Sequence, residues 1–465
     1  MIKNISKFAF SIMLGIQLFS SCDELTDINL PIDQLATDAV FSDSLTVRSA
    51  INGLYAYNLM TSGYIYAIPL YLSVISDDAY HNSQSYIIYN ENSYSPTTSA
   101  IENYWKNPYT SIYMSNSLIT RLTETTLISK AEADIAIAEA KYFRAYNYWI
   151  LVNYFGDVPL VLSTNYAETA QQSREDKNVV YEQIVQDLKD AEAIMGQSKN
   201  DNTKVTEAAV KALLARVYLY MGRWAEAEAK ANEVITQYKF ELEPLSDVFL
   251  RASKETIFKA TQDYSTYKGR TYWGYICLRK NFSYLRNELQ DAFESDDQRK
   301  TEWTKARTAA GDKLPDGTMP VQSYKYKQAT SPSDASLAED YVLLRLGEQY
   351  LIRAEARAQQ GTLTGANGAI SDLNVIRKRA GLDDLSESLS KEQVILAVEQ
   401  ERRVELFMEE THRWFDLKRT NRIDVFMSAI PEKKWSSHKA LFPVPDREIV
   451  RNRNLTPNPG YGSLQ

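Results

Sequence analysis

An all-α fold of antiparallel helical hairpins, with irregular aromatic-rich loops and short strands between them, follows from the spacing of apolar and small residues. Ile135, Ala138, Tyr142, Ala145, Trp149 and Val152 recur at intervals of three and four, the period of one buried helical stripe. Two later segments repeat a helix, a glycine turn and a second amphipathic helix. Between them, residues 240–340 carry Gly269, Gly274, Pro315, Gly317, Pro320 and Pro332, which interrupt any helical rhythm.

The N-terminus carries Lys3 and Lys7, an apolar run from Phe8 to Phe19, and Ser20 and Ser21 before Cys22. A short positive region, an apolar stretch and a small-residue boundary describe a secretory leader. The run falls short of the roughly 20 residues a membrane-spanning helix needs. Cleavage before a cysteine resembles a bacterial lipoprotein signal, with Phe19 where Leu is usual, and makes Cys22 the expected lipidation site. More than one acyl chain gives stable anchoring. Residues 1–21 are thus read as a leader, 22–240 as an N-terminal helical region, and 241–465 as a C-terminal region with a loop excursion at 260–340.

Residues 62–108 are rich in Tyr, Ser and Asn and read as long loops and turns. Ser129 and Glu132 form a capping pattern at the start of the striped helix, and Gly156 and Pro159 end it. In the first repeat Ala215 and Tyr218 precede Gly222, followed by Trp224, Ala227, Asn232 and Val234; in the second Ala354 and Arg357 precede Gly361, followed by Ala369, Asn374 and Ile376. The offset from Ala to Gly is seven in both. This resembles the tetratricopeptide unit, a hairpin that stacks on its neighbours to bury its apolar face. Ser390 and Gln393 cap a last long helix expected to run through Phe415, and the proline-bearing tail from Phe442 is expected to lie extended.

Composition limits the function. The chain has 465 residues, 52 Lys and Arg against 60 Asp and Glu, and a net charge of −8, which argues against a nucleic-acid partner. Removing Lys3 and Lys7 with the leader makes it more acidic. A hydrophobic content of 44% excludes global disorder. Two cysteines, Cys22 and Cys277, exclude a disulfide framework, and Cys277 reads as a small buried hydrophobe. His81, His412 and His438 share no ligand spacing, so neither a metal nor another cofactor is expected. No nucleophile elbow, phosphate loop or dinucleotide fingerprint is present, and no catalytic residue is assigned.

Several stretches together resemble the SusD/RagB family of outer-membrane nutrient-binding lipoproteins of Bacteroidota. They are Glu139-Ala-Lys-Tyr-Phe-Arg-Ala-Tyr running to Asn153-Tyr-Phe-Gly-Asp-Val-Pro-Leu160; the spacing of Trp105, Tyr109, Ile112 and Asn116; residues 401–419 from Glu401-Arg-Arg to Leu417-Lys-Arg419; and Phe442-Pro-Val-Pro with Asn458-Pro-Gly-Tyr461. Asp23 and Glu24 after the cysteine resemble that group's surface-export signal. The resemblance implies a SusD-like α-fold with four tetratricopeptide-like units, and a lipid-anchored protein on the outer membrane facing the cell surface. It also implies a SusC-like TonB-dependent barrel as partner and an oligosaccharide or polysaccharide as ligand, and no enzymatic activity. A tetratricopeptide-type protein-binding scaffold, or a binder of peptides or glycoproteins, is the alternative.

The residues add their own argument. Glu401, Glu405 and Glu409 fall on one helical stripe, with Arg402, Arg403 and Arg413 near, and read as structural fasteners. Asp77–Asp78 and Asp296–Asp297 lack the spacing across a cleft that glycoside hydrolysis requires. Tyrosine is the unusual feature, at 31 residues against 15 Phe. A sugar offers an apolar ring face and a hydroxyl rim, and tyrosine meets both at low side-chain entropy cost. Two clusters lie outside the periodic helices, at Tyr64–Tyr94 and Tyr264–Tyr284. Tyr80, His81, Tyr86, Tyr267, Tyr272 and Trp273 are the ligand-contact candidates. Trp105, Tyr142, Trp149, Tyr218 and Trp224 sit at helical spacing and are expected in the core.

Overall fold

Helices that follow one another in sequence lie against one another in space. The computed structural model describes residues 41–462 except 42, 61–66, 197–200, 261–267, 280–282, 309–316 and 411. Residues Ile51–Gln465 form one compact unit, and apart from Ser44–Ala50, the start of the first helix, it holds everything that follows. The leader, Cys22 and Tyr267 lie outside the described residues. Helix α1 (Ser44–Met60) leads into this unit, followed by α2 (Ala67–Ile75), α3 (Ser99–Thr123), α4 (Lys130–Phe155), α5 (Lys177–Met195), α6 (Glu207–Tyr220) and α7 (Trp224–Gln237). After the excursion come α8 (Leu346–Gln360), α9 (Ala369–Arg379), α10 (Lys391–Leu406) and α11 (His412–Arg419). From α3 to α9 each of these helices packs on the next, α7 on α8 included, and α10 packs on α8.

Both repeats are helical hairpins, α6–α7 and α8–α9. Alanine lets their backbones approach: Ala215, Ala227, Ala354 and Ala369 are fully buried. Gly361 ends α8 in the left-handed region at φ 84°, a conformation glycine adopts without penalty. A bidentate pair fastens the second hairpin, Arg353 on α8 donating to Asp372 on α9 at 3.0 and 2.6 Å.

Helix α4 starts as expected, Ser129 Oγ accepting from the Glu132 amide at 3.3 Å. Its apolar stripe is only part of what is buried. From Ala138 to Phe155 nearly every side chain is covered, because α3 and α5 flank the helix, whereas Ile135 is 41% exposed near its start. Trp105, Tyr142, Trp149 and Tyr218 are core residues, but Trp224 is half-buried on the wall of a recess.

Other expectations are corrected. The 62–108 stretch contains α2 and the first turns of α3, so it is more helical than its polar composition implied. Pro108 sits inside α3, where a proline costs about 3 kcal/mol; buried Tyr104, Trp105 and Ile112 on the flanking turns offset it. The capping box at Ser390 and Gln393 is complete, yet α10 ends at Leu406 and not at Phe415. Met408 and Glu410 adopt positive φ, 53° and 45°, and redirect the chain before α11. The tail is anchored by buried Phe442 and Val444 and includes a short helix, Asp446–Arg451.

The described residues form six short strands, three of them within the excursion and two at its edges: β1 (Ala79–His81), β2 (Thr256–Ala260), β3 (Ser283–Leu285), β4 (Thr304–Ala306), β5 (Val321–Ser323) and β6 (Tyr341–Arg345). They pair antiparallel as β1–β3, β2–β6 and β4–β5. Cys277 is buried, and burial pushes its thiol pKa up, so it is a packing residue.

The hairpins should carry the stability of the compact unit. Leu214 on α6 and Leu373 on α9 are both fully buried. Replacing either by Ala should cost about 2–5 kcal/mol in lost transfer energy and residual cavity, read as a lower urea midpoint. Unchanged midpoints would show that these faces are not close-packed.

Candidate functional site

The two tyrosine clusters meet through a pair of three-residue strands. Tyr80 on β1 stands opposite Tyr284 on β3, and their rings lie 5.5 Å apart. Asn82 donates to the Tyr284 hydroxyl at 3.4 Å. Beside this pair His81 stacks on Tyr86 with ring centroids 3.8 Å apart and planes within 10°. Tyr86 is parallel to Tyr71 at 5.5 Å, and Tyr71 leans on Tyr89 at 4.8 Å. Tyr272, from the second cluster, is close enough to Tyr71 to act on its hydroxyl electrostatically.

Tyr80, Tyr86, Tyr272 and Tyr275 are half-buried and keep part of their rings accessible, and Asn82, Gln84 and Ser85 are exposed around them. Residues Tyr275–Arg279 wind as a π-turn, a form frequent at functional sites. Of the candidates, the structure brings together Tyr80, His81, Tyr86 and Tyr272. Trp273 is adjacent in sequence to Tyr272 but 4% exposed, so its ring is enclosed. Tyr71, Tyr284 and Asn82 also belong to the patch; the strand pairing identifies Tyr284 and its partner Asn82, and stacking on Tyr86 identifies Tyr71.

The patch has a charged frame. Asp77, two residues before β1, is buried and held by Arg413 at 2.7 and 2.6 Å and by Arg403 at 2.8 Å. Against the cost of burial, these guanidiniums hold its pKa below the usual carboxylate range. Burial and the Asp77 charge push the neighbouring Asp78 the other way. Arg286 donates its backbone N–H to the Asp78 carbonyl at 2.9 Å and its Nε to the Ala79 carbonyl at 3.0 Å. Lys433 reaches into a cage of oxygens, donating to the carbonyls of Val74 and Ile75 at 3.1 and 2.9 Å and to Asn92 Oδ1 at 3.1 Å. It thereby satisfies the last carbonyls of α2. Asp77 is therefore an anchor for the start of β1. Asp297 likewise serves Arg299, at 2.8 Å. Among the described residues no group of three or more His, Cys, Asp or Glu could hold a metal ion, and no helix is long and apolar enough to cross a membrane.

A family model for the SusD family matches residues 79–461, which begins at β1 and takes in the excursion and all the later helices. The chain belongs to the SusD family. Its relatives include SusD-like protein P2 of Formosa agariphila, 26% identical over 98% of this chain and 100% of the relative. The starch-binding protein SusD of Bacteroides thetaiotaomicron is 26% identical over 73% of this chain and 75% of its own length. Among solved structures, a SusD superfamily protein of Bacteroides vulgatus superposes with a TM-score of 0.77 at 21% identity, covering 90% of this chain and 100% of that one. A laminarin-binding SusD-like protein superposes at 0.72 with 23% identity, covering 90% and 100%. At these identities the SusD likeness carries the helical fold, and the patch must be argued from its own geometry.

His81 gives the patch a pH dependence. Its Nδ1 accepts from the Ser83 amide at 3.0 Å, Asn90 holds its backbone, and burial lowers its pKa from 6.5 to about 4. The folded state therefore binds fewer protons than the unfolded state between these values, so this contribution is present above pH 6.5 and lost as pH falls toward 4. His81→Phe should lose less stability than the parent on acidification across that window, measured by thermal melts at each pH. Parallel curves would show that His81 does not titrate in this way.

Proposed function

We propose that this chain is a surface glycan-binding lipoprotein that captures an oligosaccharide at the tyrosine patch and passes it to a TonB-dependent outer-membrane barrel. One observation carries the reading: the β1–β3 pairing sets Tyr80 and Tyr284, from two distant segments, side by side, Tyr284 enclosed and Tyr80 half-open like nearby Tyr86, with the exposed Asn82 amide at the rim. That is the chemistry of a neutral sugar, whose C–H face stacks on a ring while its hydroxyls exchange hydrogen bonds with amides and phenols. A starch-binding relative and a laminarin-binding structural neighbour support a glucan as the first class to test. The role we propose is binding without catalysis, and Asp77 beside the patch is committed to Arg413 and Arg403.

Titration calorimetry with soluble starch and with laminarin tests the ligand. Tyr86→Ala and Tyr272→Ala are the informative variants, because both rings are half-open and neither closes a helical core. Removing a binding hot spot costs about 2 kcal/mol or more, and about 1.4 kcal/mol is tenfold in affinity. At least one of the two should bind more than tenfold more weakly with its melting temperature unchanged within a few degrees. Normal binding by both would move the site elsewhere, and binding of peptides but no glycan would favour a scaffold role.

The anchor is a separate proposal on Cys22. Cys22→Ala should abolish incorporation of labelled palmitate and release the protein from the membrane fraction. Persistent labelling in that variant would refute lipidation at this residue.

A further inference from the structure

A second recess, of about 320 Å³, opens among α7, α8, α10 and α11 and shares no lining residue with the tyrosine patch. One wall is apolar: Trp224, the first residue of α7, with Ile395 and Val398 of α10. The rest is dominated by guanidinium groups, five arginines against the three carboxylates of Glu355, Glu399 and Asp416. Thr420 and Asn421 are exposed and mark the mouth.

The hydrogen bonds of these arginines show what the recess is suited to hold. Arg419 is fully engaged, donating to Asp416 at 2.8 Å and to Glu355 at 2.7 Å. Arg402, 3% exposed, donates to Asp416 at 2.8 and 3.2 Å, but its Nη1 finds no acceptor among the described residues. Arg403 gives one nitrogen to Asp77, and its Nε has no acceptor there either. Arg422 pairs with Glu399 at 3.2 Å and is 35% exposed, so it remains open to a second acceptor. Arg402 Nη1 and Arg403 Nε are enclosed, so Arg422 is the guanidinium open to an added oxyanion, and charge-assisted bonds of that kind are strong.

The other lining groups define the body that carries the anion. Trp224 is half-buried and offers part of its ring surface, and Gln359, Thr420 and Asn421 supply amide and hydroxyl partners. The volume is near the lower end of small-ligand pockets, about 300 Å³, which suits one ring and not an oligosaccharide. We propose that this recess binds a single acidic sugar, one pyranose bearing a carboxylate or a sulfate ester, with its anion toward the arginines and its ring against Trp224. The assignment is independent of the neutral-glycan reading of the tyrosine patch.

Titration calorimetry of the full chain with sodium glucuronate, glucose 6-sulfate, glucose and inorganic sulfate tests it. At least one of the two acidic sugars should bind at least tenfold more tightly than glucose and than inorganic sulfate; which of them does so identifies the anion. Gln359→Glu, nearly isosteric and half-buried on the lining, should weaken that binding at least tenfold while the melting temperature holds. Trp224→Ala should weaken the acidic sugar and leave inorganic sulfate unaffected. The proposal is overturned if neither acidic sugar binds, if glucose or inorganic sulfate binds as tightly, or if Gln359→Glu changes nothing.

Discussion

Arg345 is the point on which the frame turns. It ends β6 and precedes α8, and its guanidinium is buried. It donates to Glu409 at 2.7 and 2.9 Å, to Glu255 at 2.9 Å and to Glu405 at 2.7 Å. Arg379 joins the same two carboxylates, Glu255 and Glu405, while Arg299 bridges Glu401 and Glu405 and Lys325 holds Glu409 at 2.6 Å. Against the cost of burial, these cations hold Glu405 well below the ordinary carboxylate range. Buried pairs of this kind add little net stability over a hydrophobic replacement, but removing one partner costs about 3–5 kcal/mol. Their consequence is geometric: β2, β6, α9, α10 and the excursion have one arrangement that satisfies every charge. Gly347 shows how close the groups are, since a Cβ there would stand 2.4 Å from Arg345 Nη1.

The break between α10 and α11 follows from this constraint. A helix continued through Phe415 would keep Glu409 and Glu410 on neighbouring faces of one cylinder. Instead positive φ at Met408 and Glu410 sends Glu409 to Arg345 and Lys325, and Glu410 to the Tyr146 hydroxyl at 2.8 Å and to Arg216 at 3.8 Å. Burial pushes Glu410 up to about 7, with Arg216 acting in the opposite sense. The same segment then presents Arg403 and Arg413 to Asp77 just before β1. One stretch of chain thus ties the ion-paired core to the loop that carries the tyrosine patch.

How much of this is legible in the sequence depends on the range of the interaction. The hairpins are legible because alanine spacing, a turn glycine and a capping box act within a few residues, as at Ala215–Gly222 and at Ser390 with Gln393. The clustering of tyrosines outside those helices is equally local. The pairing of β1 with β3 is not, because strands of three residues show no alternation to read and their register is set by Arg286 and by the chain folding around it. Nor is Lys433, whose contacts are backbone carbonyls hundreds of residues away in sequence. The helix break has no glycine or proline to announce it. Its cause is the set of distant cations that Glu409 and Glu410 must reach.

The patch and the recess differ in charge for a structural reason. At the patch, burial raises the hydroxyl pKa of Tyr71 and brings Tyr89 up to about 12, and it keeps His81 neutral above about pH 4. These rings stay uncharged at neutral pH, and each phenol can both donate and accept. Such a surface exchanges hydrogen bonds with hydroxyls and carries no fixed charge on its rings. The arginine-lined recess has the opposite character, since guanidinium only donates and never loses its proton. A separate set of ion-paired charges lines the recess, whereas the patch meets charge through backbone carbonyls held by Lys433 and through the anchored Asp77. The patch is therefore fixed in position by ion pairs without being charged by them, the condition for stacking an uncharged sugar.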